Sequence, residues 1–365
     1  MALKILALGG DGIGPEVLNA GLKLLAAVAS SAAIKYELCE DLLHGAAWDK
    51  HGTFLHPDTL AKARESDALL VGATGGPAWD RIEVAGGPAE QDGLMKLRHE
   101  LQTFACVRSS QAWEPLLDYT PFNPDVVRGA NVIVMRELCG GAMFSDTRGI
   151  ETGSDGKRRG FDLNEYAESE IARFARVGFT IARQRKKRVV SVDKSNVFVA
   201  DKLWREVVTE VSTDFPDIEL THMFADNCAF QLCRQPASFD VILADNLFGD
   251  ILSDQVGSIA GSLGMLPSAS LPGIDANGVS NGTAIYEPVH GSAPDIAGHG
   301  VANPIGMILS VAMMFEYSLG RTDISKKISA AVEAALKEGF ATRDIGGKAT
   351  TSAMTDAIIR HYQSP

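Results

Sequence analysis

Short apolar runs recur along the chain at residues 5–8, 68–72, 132–135, 189–192 and 241–244, each bounded by polar or glycine-bearing stretches. They read as strands buried on both faces. Between them lie longer stretches, such as 15–29 and 168–184, in which apolar positions return every three to four residues and predict helices with one face on a core. Strands alternating with helices in this way predict parallel β–α–β packing and an α/β fold. Turn-forming residues at 84–88, 152–160 and 271–282 predict loops, and neither a linker nor an internal repeat marks a domain boundary.

At 365 residues the chain exceeds the usual size of a single core, which predicts two lobes, and its 45% hydrophobic content is enough to fill both. The formal net charge of -12 argues against nucleic-acid or anionic-membrane partners, because phosphate binding needs clustered Lys and Arg. The basic run at 183–188 reads instead as the cover of a helix end. Five cysteines without a CxxC pair fit a reducing compartment, and Cys139, beside Arg136 and Glu137, is the one in polar company. Residues 3–8 already follow a strand pattern, which leaves no room for a signal peptide, and the apolar stretch 301–315 is short and broken by Asn303 and Pro304. A soluble, cytoplasmic enzyme is the expectation.

Residues 248–254 read Phe-Gly-Asp-Ile-Leu-Ser-Asp and follow the strand run, placing Asp250 and Asp254 four positions apart on one face of a predicted helix. Two hard oxygen donors suit a divalent cation at the carboxyl-end mouth of an open α/β sheet, although the same spacing alone also fits a solvated helix face. Gly249, just before Asp250, leaves room for close backbone approach. The glycine-rich residues 9–16 follow a strand and open a helix, but they do not keep the G-x-G-x-x-G spacing. Counted from Gly10 or Gly12, the third glycine would fall at Pro15 or Val17, which argues against a Rossmann site.

Arg98, Arg108 and Arg136 lie in segments of different character. Converging, their guanidinium forks would suit a substrate with two or three carboxylates; singly, each also fits a surface ion pair. Lys194 follows the strand run 189–192, where a lysine near a metal can give up its proton and act as a base, and Asp226 is a further carboxylate of the same sort. The polar, turn-rich segment 286–304 could lay a loop around an adenosine, with Asp295 on the ribose hydroxyls and Asn303 on the base, or could be a surface loop that binds nothing.

Together these residues resemble the β-decarboxylating dehydrogenases, the family that oxidises metal-chelated 2-hydroxy acids, and most closely its isopropylmalate dehydrogenase branch. The likeness runs nearly end to end, through residues 10–16, 93–98, 136–141, 191–197, 248–254, 261–268 and 287–304. It implies a two-domain, non-Rossmann α/β fold with the active site in the cleft between domains. Residues 1–103 plus 261–365 would carry both termini and the NAD loop; residues 104–260 would carry the dimer interface and the metal ligands. The resemblance makes Arg98, Arg108 and Arg136 the ligands of the malate carboxylates, with Leu94, Met95 and Val197 at substrate-recognition positions. Asp250 and Asp254 would bind magnesium or manganese, and Lys194 and Asp226 would reach the same site from the second subunit of a homodimer. His290, Gly291, Ser292, Ala293, Asp295, Ile296 and Asn303 look like the NAD loop, with Glu287 near the nicotinamide ribose. The Asp295–Ile296 pair resembles the NAD version, since NADP-using relatives place basic or aromatic groups there.

The reaction so implied is the NAD- and metal-dependent oxidative decarboxylation of 3-isopropylmalate to 4-methyl-2-oxopentanoate and carbon dioxide. One stretch departs from the family. Where relatives read Gly-Gly-Ile-Tyr-Phe-Gly, residues 140–145 read Gly-Gly-Ala-Met-Phe-Ser, so Met143 stands where a tyrosine protonates the enol carbon. A thioether has no proton to give, and general-acid help worth roughly 10²- to 10⁴-fold must come from elsewhere or be lost. Arg108 is followed by Ser109 and Ser110 instead of the usual proline, and the stretch before Tyr166 also differs. Another 3-substituted malate, D-malate or a tartrate-like acid, or a weakly catalytic family member, therefore stands beside the isopropylmalate reading. Retention of the three arginines, the three aspartates and Lys194 counts against the last.

Overall fold

The computed structural model describes residues 2–364 and centres on one ten-stranded sheet. Its strands are β1 (Leu3–Gly10), β2 (Tyr36–Asp41), β3 (Ala68–Ala73), β4 (Ala105–Gln111), β5 (Asn131–Glu137), β8 (Arg188–Asp193), β9 (Glu219–Phe224), β10 (Val241–Ala244), β11 (Pro267–Leu271) and β12 (Ala284–Pro288). They lie in the order β2-β1-β3-β12-β11-β4-β5-β10-β8-β9. All five apolar runs become strands of this sheet, within β1, β3, β5, β8 and β10.

The outer pairs are parallel, as the alternation predicts, but β12–β11, β11–β4 and β4–β5 are antiparallel. Three reversals in a row turn the two parallel blocks head to tail, so their carboxyl ends lie at opposite ends of the sheet. The expected ligand mouth at the strands' carboxyl ends is therefore not common ground for the two blocks. What they share is the face of the central strands.

Side-chain alternation sorts the core onto two faces. On one face Ile5, Ala7, Leu70, Val107, Met135, Leu243, Ala269 and Tyr286 form a continuous core. It lies under helices α1 (Gly14–Ser31), α6 (Glu168–Arg183), α7 (Val199–Ser212), α11 (Ile305–Tyr317), α12 (Thr322–Lys337) and α13 (Thr351–Gln363). On the other face the core is split. Leu6, Leu8, Leu69, Val71 and Ile285 pack with α3 (Pro57–Arg64) and α4 (Gly93–Glu100), near the short α2 (Gly45–His51). Val132, Val134, Val192 and Ile242 pack with α8 (Ala225–Arg234), α9 (Asn246–Gln255) and α10 (Gly257–Ala260); α5 (Pro124–Val127) is a single turn leading into β5. Between these clusters β4 and β11 present Cys106, Arg108, Ser110, Ser268 and Ser270, alternating with the apolar residues of the first face. That strip is the polar floor onto which α4 and α9 bring charged side chains from opposite sides.

Residues 152–160, expected to be a loop, lie in a hairpin of β6 (Arg148–Thr152) and β7 (Arg158–Asp162) outside the main sheet. Its residues are largely exposed, Ile150 to 73%, so no apolar alternation betrays the strands in the sequence. The basic run 183–188 does close a helix: Arg185 pairs with buried Asp240 at 2.8 Å, while Arg183 and Lys187 share Asp217. Among the described residues no helix is long and apolar enough to cross a membrane.

Candidate active site

Asp245 caps α9 by accepting the Phe248 N–H at 2.7 Å, which fixes the start of the helix directly after β10. One turn on, Gly249 lies against Arg136 of β5 so closely that a Cβ there would fall 2.8 Å from Arg136 Cβ and Cγ. This approach puts the Asp250 carboxylate on the Arg136 Nη1, while Arg136 Nε donates to Asn246 Oδ1 at 2.9 Å. Arg108, next door on β4, donates to Ser253 Oγ at 2.7 Å and lies 3.4 and 3.5 Å from Asp250 and Asp254. From the far side Arg98 of α4 pairs with Glu287 of β12 at 2.5 Å.

The three arginines thus converge. Burial and the neighbouring Arg108 and Arg98 push the Arg136 guanidinium down to about 10 in spite of Asp250. Arg98 Nε and Arg108 Nε are buried without a partner. Crowded positive charge with unfilled planar donors is the electrostatics of a carboxylate site.

Asp250 and Asp254 share one face of α9 at the edge of this cluster. Burial and Asp250 raise the Asp254 carboxyl in spite of Arg108, a repulsion between carboxylates that a divalent cation would relieve. Yet among the described residues no three His, Cys, Asp or Glu side chains come together as a metal site. The chain offers a cation two ligands at this point. Lys194, just past β8, instead pairs with Asp226, at the start of α8, at 2.5 Å. Among the described residues no hydrogen bond or ion pair joins either to Asp250 or Asp254. Asp226 is 71% exposed; Val197, Phe198 and Val199, which follow Lys194 in the chain, and Phe230, one turn after Asp226 on α8, are exposed too, as are Leu247 and Ile251 on α9.

The glycine-rich turn seats the 290–303 loop. Gly12, at φ 54°, touches the Ser292 carbonyl so closely that a Cβ would fall 2.0 Å from its oxygen, and Ile13 N–H donates to that oxygen at 2.7 Å. Glu16 holds the loop's far end through the Gly300 and Ala302 N–H groups. Gly291 and Asp295 are exposed, His290, Ala293 and Ile296 half-buried, and Ser292 buried. Burial keeps the His290 imidazole below its ordinary range, and its Nε2 is buried with no partner, a donor or acceptor left for a ligand. Asn303 is already engaged: Nδ2 donates to Asp344 at 3.0 Å and Oδ1 accepts the Ile305 N–H at 3.0 Å.

Met143 Sδ accepts from Arg136 Nη2 at 3.1 Å. Met143 and Met95 line one cleft of about 810 Å³ together with Pro88, Gln91, Asp146 and Arg148. Leu94 is turned away into the core beneath α4. Two site residues carry no chemical signal of their own in the sequence. Ser253 lies inside the 248–254 motif and is marked only by its spacing; Asn246 follows the Asp245 cap and joins Arg136, the Gly140 carbonyl and, through its N–H, the Tyr166 hydroxyl. Cys139 is no reactive thiol, since burial and Glu137 push it up to about 12.

The family model for isocitrate/isopropylmalate dehydrogenase matches residues 4–358. The chain is 47% identical to a 3-isopropylmalate dehydrogenase of Xanthomonas oryzae pv. oryzae over 98% of its length and 99% of the relative's, and 46% identical to one of Pseudomonas fluorescens over 98% of both. Among solved structures it superposes on an isocitrate dehydrogenase from Methylococcus capsulatus with a TM-score of 0.85 at 29% identity, covering 99% of this chain and 100% of that one. A β-decarboxylating dehydrogenase from Thermococcus kodakarensis in its apo form follows at 0.78 and 32%, covering 99% and 96%. By the family match along nearly its whole length and by these relatives, the chain belongs to the isocitrate/isopropylmalate dehydrogenase family and is an oxidative decarboxylating dehydrogenase.

Proposed function

We propose that the protein carries out NAD- and divalent-metal-dependent oxidative decarboxylation of a 3-substituted malate, with 3-isopropylmalate as the substrate to try first. The observation that carries this reading is the buried cluster of Arg98, Arg108 and Arg136, in which the Arg98 and Arg108 Nε groups are unfilled and Arg108 and Arg136 lie against Asp250. The arginines hold the substrate's carboxylates and so orient its hydroxyl-bearing carbon toward the 290–303 loop. A divalent cation on Asp250, Asp254 and a second subunit's Asp226 supplies Lewis acidity when bound, and NAD on the loop supplies the hydride acceptor. Lys194 of that second subunit takes the hydroxyl proton. Glu287 keeps Arg98 in place at the nicotinamide side, and Met143, having no proton to give, leaves the last protonation to water.

A homodimer with shared sites is part of the reading. It is supported by the exposed apolar side chains around Lys194 and Asp226 and by the two-ligand limit of one chain. The proposed domains, 1–103 plus 261–365 and 104–260, divide the sheet between β11 and β4. A cytoplasmic role in leucine synthesis is part of the same reading, supported by the likeness to 3-isopropylmalate dehydrogenases.

A second reading, a malate with a longer 3-substituent, is favoured by the flexible Met95 and Met143 flanking the open 810 Å³ cleft. NADH appearance with 3-isopropylmalate, longer 3-alkylmalates, D-malate, tartrate and isocitrate, with and without Mg²⁺, separates the readings in the wild type and in Met143→Tyr. Metal-dependent turnover of isopropylmalate, faster in Met143→Tyr, supports the first; wild-type preference for longer chains, reversed in Met143→Tyr, supports the second. No turnover of any of these acids by either protein refutes both.

A further inference from the structure

His44 holds a backbone conformation ordinarily left to glycine, φ 56° and ψ -124°, in the turn before α2. Its ring is buried, with 7% of the side chain exposed, against Phe54 at 4.8 Å between centroids and the edge of Trp79 at 6.3 Å. Two carboxylates flank it: Nδ1 lies 2.9 Å from Asp11 Oδ2 and Nε2 lies 3.4 Å from Asp92 Oδ2. The first contact is not aligned as a hydrogen bond, so charge attraction carries it.

Both carboxylates have structural work elsewhere. Asp11 accepts N–H groups of Gly45, Ala46 and Gly75 at 3.2, 2.8 and 2.9 Å, joining the glycine-rich turn to α2 and to the residues after β3. Asp92 caps α4 by accepting the Leu94 and Met95 N–H groups at 2.7 and 2.9 Å. The charged groups acting here are Asp11 from the turn after β1, Asp92 from the start of α4 and, through Asp92, Arg98 within α4. Burial works against a charged imidazole, but Asp11 and Asp92 outweigh it and hold His44 up at about 9.

We infer that His44, as an imidazolium, is a positioning residue: it clamps the Asp11 turn, which seats the cofactor loop through Gly12 and Ser292, to the Asp92 cap of α4, which carries Met95 and Arg98. Strain at a non-glycine residue persists only where surroundings enforce it, and here two carboxylates on separate elements do so. The clamp couples the cofactor side of the cleft to the substrate side. Its kinetic consequence rests on the reaction proposed above; its ionic part does not.

His44→Gly removes the ring and relaxes the backbone, whereas His44→Gln keeps most of the buried volume and removes the charge, so if the ring only fills space His44→Gln should keep wild-type kinetics. The clamp predicts that His44→Gly and His44→Gln each raise KM for the 2-hydroxy acid about tenfold while kcat changes little, the size expected for losing a charged contact. Wild-type KM should rise above pH 9, a limb absent from His44→Gln. Independently of turnover, the imidazole C–H resonance missing from His44→Gln should titrate near 9 in the wild type and move down in Asp92→Asn, which keeps the cap. NADH binding followed by fluorescence should weaken about tenfold in His44→Gln. Titration near 6.5, or wild-type KM and NADH affinity in His44→Gln, overturns the clamp. Should no 2-hydroxy acid be turned over, the proposed reaction fails and the resonance and NADH titrations still decide the clamp.

Discussion

The seat of Asp250 depends on one missing methyl group. A Cβ at position 249 would stand 2.8 Å from Arg136 Cβ and Cγ and 3.1 Å from its Cα. Carbon pairs rest at about 3.5–4.0 Å, so Gly249→Ala must separate α9 from β5 by roughly 0.7–1.2 Å. The obstructing atoms are the root of a buried side chain on a strand hydrogen-bonded to β4 on one side and β10 on the other, so the helix yields and the strand does not. Asp250, the next residue, would leave Arg136, and the 2.7 Å bond from Arg108 to Ser253 would stretch. Overpacking costs about 1–3 kcal/mol and alanine returns up to about 1 kcal/mol of helix propensity, so net stability falls by about 0–3 kcal/mol. Activity should suffer more, because a displacement near 1 Å at reacting groups costs roughly 10²-fold. Steady-state kcat/KM across a Mg²⁺ titration, alongside a thermal melt, measures both. The expected variant is folded, melts a few degrees lower, needs more metal and loses about ten- to a hundredfold in kcat/KM. Wild-type kcat/KM and metal dependence would refute the idea that this contact sets the position of Asp250.

Two further outcomes are expected. Lys194→Ala and Asp254→Asn should each be inactive alone, yet refolded together in equal amounts they should recover about a quarter of wild-type activity, since half the dimers are mixed and each mixed dimer has one intact site; no recovery would place every catalytic group in one chain. Because the folded His44 sits at about 9, above its ordinary 6.5, its charge stabilises the fold fully below pH 6.5 and ceases to do so as pH rises through 9, a contribution on the order of 3 kcal/mol. Urea unfolding of wild type and His44→Gln should therefore differ at pH 6 and converge by pH 10, and an unchanged gap would show that His44 carries no charge in the fold.

Local pattern reaches only part of this molecule. The runs in β1, β3, β5, β8 and β10 are legible because strands covered on both faces need apolar residues at nearly every position. The Asp250–Asp254 pair is legible because a helix repeats every 3.6 residues, and α9 does place both on one face. β4 and β11 escape notice because Arg108, Ser110, Ser268 and Ser270 interrupt them with polar side chains, and those interruptions are the floor of the site. β2 and β9 lie at the sheet's edges and carry too little buried surface to leave a pattern.

By itself, the amino-acid order determined the strands buried on both faces, the helices with one apolar face, and which residues carry usable chemistry, since these are properties of neighbours along the chain. Tertiary structure decided the antiparallel centre and, with it, that the site runs across the polar strip of β4 and β11, from α9 at the carboxyl end of β10 to Glu287 of β12. It brought Arg98, Arg108 and Arg136 together, left Lys194 and Asp226 on an outer surface, and set His44 between Asp11 and Asp92. Each of these depends on which distant strands pair and in which direction, and no local period encodes that choice; it follows from burying the whole core at once.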